Sequence, residues 1–154
     1  MTMHARIDAD TASPFDVGAS RQAAARHRTA IQHEITRLFD ELAPMVVPGR
    51  RAPVAGAVTA YRWPNRCILQ GDTHAVSLTW FVGSRDDESL GELLLMTWRG
   101  RVSLPGSAAP AGEEPAIVEQ RVLHPAWTLD GGWGWRAEHS EGDDAIVSTD
   151  ELIA

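Results

Sequence analysis

The segment His33-Glu34-Ile35-Thr36-Arg37 comes closest to a catalytic spacing. It starts like the H-E-x-x-H pattern, in which two imidazoles one helical turn apart reach a single zinc ion. Arg37 stands where the second ligand belongs, and a guanidinium has no lone pair to offer a cation. The other histidines are His4, His27, His74, His124 and His139. His27 and His33 are six residues apart and fall on different faces of a helix, and His74 and His124 belong to separate segments. The acidic runs Asp86-Asp87-Glu88 and Asp143-Asp144 lack the alternating ligands, glycine and closing glutamate of a calcium loop. No metal and no cofactor are expected.

Other chemistries fail on equally specific grounds. A phosphate-binding loop needs a lysine, and all 14 basic residues are arginine. Gly131-Gly132-Trp133-Gly134 lacks the rest of a dinucleotide fingerprint and precedes a strand rather than a helix. No G-x-S-x-G elbow is present. Cys67 is the only thiol, which excludes an internal disulfide, and His74 is near enough in sequence to meet it across the Gly71-Asp72 turn. A Cys–His nucleophile would need a lowered thiol pKa. Flanked by Ile68 and Leu69, Cys67 reads instead as a small core residue. No catalytic residue is assigned.

What remains suits contact better than catalysis. There are six Trp but only one Tyr and three Phe. Trp is a favoured anchor of interfaces because it joins a large apolar area to an N–H donor. Trp133 and Trp135, two apart on one strand face, with Trp127 just upstream, are candidate binding residues on an exposed sheet face. Arg21, Arg26 and Arg28 are further candidates. They crowd the start of a helix whose end carries Glu34, Asp40 and Glu41, against the preference of the helix dipole. Two such helices packed antiparallel would set basic starts beside acidic ends, as a twofold dimer requires. The alternative is an apolar pocket between helix and sheet lined by Trp80, Leu94, Met96 and Trp98, with His74 or His124 as its polar group.

The charge is polarised. Residues 1–77 hold nine Arg against seven acids, and residues 78–154 hold five against fourteen, within a net charge of −7. An acidic chain suits neither nucleic acid nor an anionic membrane. The acidic half, from about Asp86 to Glu151, is expected to face a basic surface of a protein partner. The absence of lysine, with 22 Ala and one Asn, reads as coding bias of a bacterial type.

The elements that position these residues follow from periodicity. Residues 1–19 show no period and are expected as a flexible arm. Ala24, His27, Ile31, Ile35, Leu38 and Leu42 recur at helical steps and Phe39 widens the stripe, so a helix over 20–43 is expected, ending before Pro44. Strands are expected at Val54–Arg62, Arg66–Gln70, His74–Val82, Leu90–Arg99, Ile117–Leu123 and Trp133–His139. The continuous Leu93-Leu94-Leu95 suggests a central strand covered on both faces. Residues 104–115 read as a flexible loop. Ser148-Thr149-Asp150-Glu151 is a capping box, so the last residues should dock as one helical turn.

The expected architecture is a single α+β domain over 20–154, with one long N-terminal helix on one antiparallel sheet of about five strands. The expected function is non-enzymatic: a cytoplasmic interaction or accessory protein that binds a protein partner or itself, as a dimer. A small-molecule binder or enzyme is the alternative.

Overall fold

A computed structural model describes residues 14–43, 58–84, 89–104, 106, 114–138 and 146–154. It is α+β: helix α1 (Pro14–Leu42), strands β1 (Thr59–Trp63), β2 (Arg66–Gln70), β3 (His74–Val82), β4 (Gly91–Arg99), β5 (Ala116–Trp127), β6 (Trp133–Ala137) and β7 (Ile146–Ser148), then helix α2 (Thr149–Ile153). The strands form one antiparallel sheet in sequence order, β1 to β7. A meander of this kind joins each strand to its neighbour by a short turn and needs no crossover. The leucine-rich β4 is the central strand, as its sequence suggests.

Three expectations need correction. The sheet has seven strands rather than about five, because both short segments around Pro64 and the brief Ile146–Ser148 pair fully. The helix begins at Pro14, so residues 14–19 are not an arm; proline suits a first helical turn, where its missing N–H has no partner to lose. Residues 1–13, most of the 104–115 loop and the first part of the expected Val54–Arg62 strand lie outside the described residues.

The third correction concerns the strand expected at Ile117–Leu123, which continues through Pro125 to Trp127. The reason lies in the alternation of an antiparallel ladder, where successive residues turn their backbone groups to opposite sides. Glu138 N donates to Val122 O at 2.8 Å, so positions 122, 124 and 126 face β6. Pro125 therefore turns its nitrogen toward β4, whose register with β5 stops at Leu93↔Leu123. No ladder bond is lost, the condition under which a strand tolerates proline.

The core lies between α1 and one face of the sheet. Ile31, Ile35, Leu38, Phe39 and Leu42 meet Cys67, Leu78, Trp80, Leu93, Leu123 and Trp135. Only the second half of α1 does this work. From Gly18 to Ala30 every helix residue is exposed or half-buried. At the β1 edge, Arg62 Nε donates to Asp40 Oδ1 at 2.6 Å and its guanidinium lies over the Phe39 ring. On the far face, Trp98 Nε1 donates to the buried Ser77 Oγ at 2.9 Å, and Val102 N donates to Gln70 Oε1 at 2.9 Å, drawing the chain after β4 across the end of β2.

The other edge is held by a polar chain. Trp135 Nε1 donates to Thr149 Oγ1 at 3.1 Å, and Thr149 Oγ1 donates to Glu34 Oε2 at 2.9 Å. Arg37 bonds Asp150 at 2.7 Å and Glu34 at 3.0 Å, which raises its pKa further above its already basic value. Together these bonds dock α2 on α1, with Leu152 and Ile153 against the core. The capping box forms as its sequence implies: Glu151 N donates to Ser148 Oγ at 3.2 Å, and Ser148 N donates to Glu151 Oε2 at 2.7 Å. That backbone bond, then the one from the Ser148 hydroxyl, holds the Glu151 carboxyl below its ordinary pKa.

Two outcomes are expected. Ile35→Ala should lower unfolding stability by about 2–5 kcal/mol in urea, the range for a cavity at a fully buried site. Ser148→Ala should lower it by about 0.5–2 kcal/mol at neutral pH. Because the Glu151 pKa is depressed in the fold, its contribution is present above the unfolded value and is lost as pH falls through the folded one. The gap between wild type and Ser148→Ala should therefore narrow in acid, read by urea midpoints at neutral pH and near pH 3.

Candidate interaction surface

Val82, Gly91, Trp127 and Trp133 end or begin their strands at the same end of the sheet. Helix α1 crosses that end at His27 and Arg28. One helical step apart in sequence, these two residues diverge by about 100° around the axis and reach opposite sides. Arg28 Nη2 donates to Ser84 O at 2.9 Å, holding the chain just after β3. His27 packs against the indoles of β5 and β6: its ring centroid is 5.4 Å from Trp133, edge to face, and 6.5 Å from Trp127. Trp127 and Trp133 stand opposite each other in register and meet edge to face at 5.0 Å. Such pairs contribute about 0.5–1.5 kcal/mol beyond their burial.

This array holds a large ring partly in water. Trp127 is 57% exposed although two rings fix it, and Leu129, in the adjoining turn, is 88% exposed. The turn itself is rigidly made: Gly131 takes φ +80°, and Gly132 N donates to Thr128 Oγ1 at 3.0 Å. Val82 and Phe81 are exposed at the same end of β3. Gly91 there has φ +130°, and a Cβ on it would stand 2.5 Å from the Trp80 ring, so a side chain at this position would push Trp80 out of the core.

The structure separates the residues singled out from sequence. Trp127 and Trp133 come together, with His27 added between them. Trp135 does not join them at the surface: it is 2% exposed, edge-on to Trp80 at 6.1 Å, with its N–H spent on Thr149. Both Trp133 and Trp135 lie on the face beneath α1, so the expected exposed sheet face bearing the pair is corrected. Arg21 and Arg26 are exposed on the outlying half of α1, while Arg28 is engaged with Ser84. The acids expected to meet them across a helix dimer are occupied at home: Glu34 and Glu41 by Arg37, Asp40 by Arg62.

The alternative pocket does not assemble. Trp80 faces α1, whereas Leu94, Met96 and Trp98 alternate to the far face, half-buried. His74 sits exposed at the distant end of β3 beside Thr73, and His124 lies on the far face opposite Arg136. Two open grooves lined by described residues run along α1. One, of about 400 Å³, is lined by Arg28, Thr29, Gln32, His33, Thr36 and Val82. The other, of about 460 Å³, lies along Gln22, Arg26 and His33.

Cys67 is fully buried, and burial pushes its thiol pKa up, the wrong direction for a nucleophile. Among the described residues no cluster of His, Cys, Asp or Glu is placed to hold a metal ion. No described helix is long and apolar enough to cross a membrane. Comparisons with protein-family models, with curated proteins and with solved structures find no match.

Sequence periodicity placed His27 in the apolar stripe of α1, and a polar ring in such a stripe was the available signal that it meets something other than aliphatic core. Leu129 carried no comparable signal. For Cys67, thiol reagents at neutral pH should leave the native protein unmodified and react once it is unfolded in urea; modification at the same rate in both states would contradict its burial.

Proposed function

We propose that this chain is a non-enzymatic interaction protein whose contact surface is the aromatic end of the sheet, centred on Trp127. The observation that carries the reading is an indole fixed by His27 and Trp133 yet more than half exposed, with Leu129 standing free beside it. A rigid, exposed aromatic loses little side-chain entropy on binding and gains a large buried area, which is what interface anchors do.

Charge selects the partner. No acidic residue occurs between Asp16 and Glu34, while Arg21, Arg26 and Arg28 do, so the outlying half of α1 is basic. The acids of its second half are neutralised within the chain. The partner that fits is a protein presenting an apolar side chain among carboxylates. In this reading the acidic half of the chain is a solvated surface that repels such a partner and leaves the basic half of α1 as its side of approach.

The test is native mass spectrometry of the protein purified from its own source. A complex heavier than 16.8 kDa that contains a second protein, and that Trp127→Ala or Arg21→Glu/Arg26→Glu dissociates while the circular dichroism stays unchanged, is expected. Truncating an anchor of this kind weakens binding by about 2 kcal/mol or more, roughly thirtyfold. A monomer carrying a small-molecule adduct, or a complex indifferent to both variants, would overturn the proposal.

A further inference from the structure

His27 lies inside the aromatic contact surface, and no described residue fixes its charge. Its same-face neighbours on α1, three and four residues away, are Ala23, Ala24, Ala30 and Ile31. None of them carries a charge or a side-chain hydrogen-bonding group. Among the described residues the ring nitrogens have no hydrogen-bond partner, and the ring contacts are the indoles of Trp133 at 5.4 Å and Trp127 at 6.5 Å. The residue is exposed to water.

The charged groups around this ring are held elsewhere or stand in solvent. On α1, Arg28 is turned to the other side of the helix, onto Ser84 O. Glu34, two turns along the same side, is bonded to Arg37 and Thr149. His33 falls on a different face of the helix. On β6, Arg136 alternates to the far face of the sheet, opposite His124. Arg26, beside His27 in sequence, and Asp130, three residues past Trp127, are both exposed. These two are of opposite sign, so their screened fields at the ring oppose each other.

Imidazole is the side chain that ordinarily changes charge between pH 5 and 8. We propose that His27 makes the aromatic contact surface pH-responsive. At the upper end of that range the surface is an apolar patch; at the lower end the same patch carries a positive charge between the indoles and the basic half of α1. The inference rests on the reading of this surface as a partner site. A partner presenting carboxylates is held more tightly by an imidazolium. Binding therefore strengthens as pH falls from 8 to 5.5 and weakens as it rises again, while ordinary carboxylates stay ionised throughout. By linkage, the bound partner favours protonation in turn.

The test reads the charge at the surface of the free full chain, with small quenchers as probes. Trp127 is the only exposed tryptophan among the described residues, so it dominates collisional quenching. Iodide, an anion, and acrylamide, which is neutral, are compared at pH 8 and pH 5.5 at equal, low ionic strength. Iodide quenching is expected to rise about twofold at pH 5.5, the effect of one screened charge beside the indole, and acrylamide quenching to stay constant. His27→Gln should remove most of that rise. His27→Arg should give the higher iodide value at both pH values, each variant keeping the wild-type circular dichroism. In the partner complex, the dissociation constant should fall about fivefold between pH 8 and pH 5.5, as for a good exposed ion pair, and stay constant in His27→Gln. Iodide quenching that does not rise, or that rises as much in His27→Gln, would overturn the proposal. So would a complex whose pH dependence survives that substitution unchanged. The two readings fail separately: a complex indifferent to Trp127→Ala refutes the partner site, whereas a missing iodide response refutes the role of His27.

Discussion

Seven antiparallel strands present two faces, and this chain has one long helix with which to cover them. The packing of Ile31, Ile35, Leu38, Phe39 and Leu42 onto one face is the contact on which the rest depends. A three-turn stripe is shorter than the sheet is wide, so the sheet edges need other closure. Arg62 reaches back to Asp40 from β1, and the chain from Trp135 through Thr149 and Glu34 to Arg37 ties down β7 and α2. Both closures are polar: the Arg62–Asp40 and Arg37–Asp150 bonds lie at the rim in reach of water, and the buried Trp135–Thr149 bond connects to that rim through Glu34. There a hydrogen-bonded carboxylate is affordable, while the fully buried positions between them are apolar.

The same geometry explains why a contact surface appears where it does. The apolar face of α1 ends at Ile31, but the helix continues for more than four turns toward its start. Its first half therefore leaves the sheet, and the residues at the point of departure must seal the end of the core. His27 and Arg28 do so in opposite directions. A seal made of one imidazole and two indoles cannot close the end fully, because edge-to-face rings leave their outer faces open. Trp127 and Leu129 are what stays outside.

Much of the architecture was legible in the residues. The α1 stripe, the strands at Arg66–Gln70 and His74–Val82, the central position of the leucine-rich strand and the capping box at Ser148 are all consequences of local pattern, and each is realised. Where reading failed, a neighbour decided. The strand expected to stop at Leu123 continues through Pro125, because the proline nitrogen faces the side where pairing with β4 has already stopped. Trp80, Leu94, Met96 and Trp98 read as one lining until the pleat sends Trp80 to one face and the others to the opposite one. Trp133 and Trp135 share a face, as their spacing requires, yet one ends at the rim and the other in the core, because the sheet has a margin that periodicity does not reveal.

The sequence by itself determined the α+β class, the order of the elements, the absence of lysine chemistry and of a second zinc ligand, and the charge difference between the two halves. These depend only on residue type and on spacing along the chain. The tertiary structure decided which aromatic rings reach water and which of the α1 acids are already paired. Those properties belong to pairs of residues distant in sequence, such as Glu34 with Thr149 or His27 with Trp133, and are set only when packing brings both members to one place.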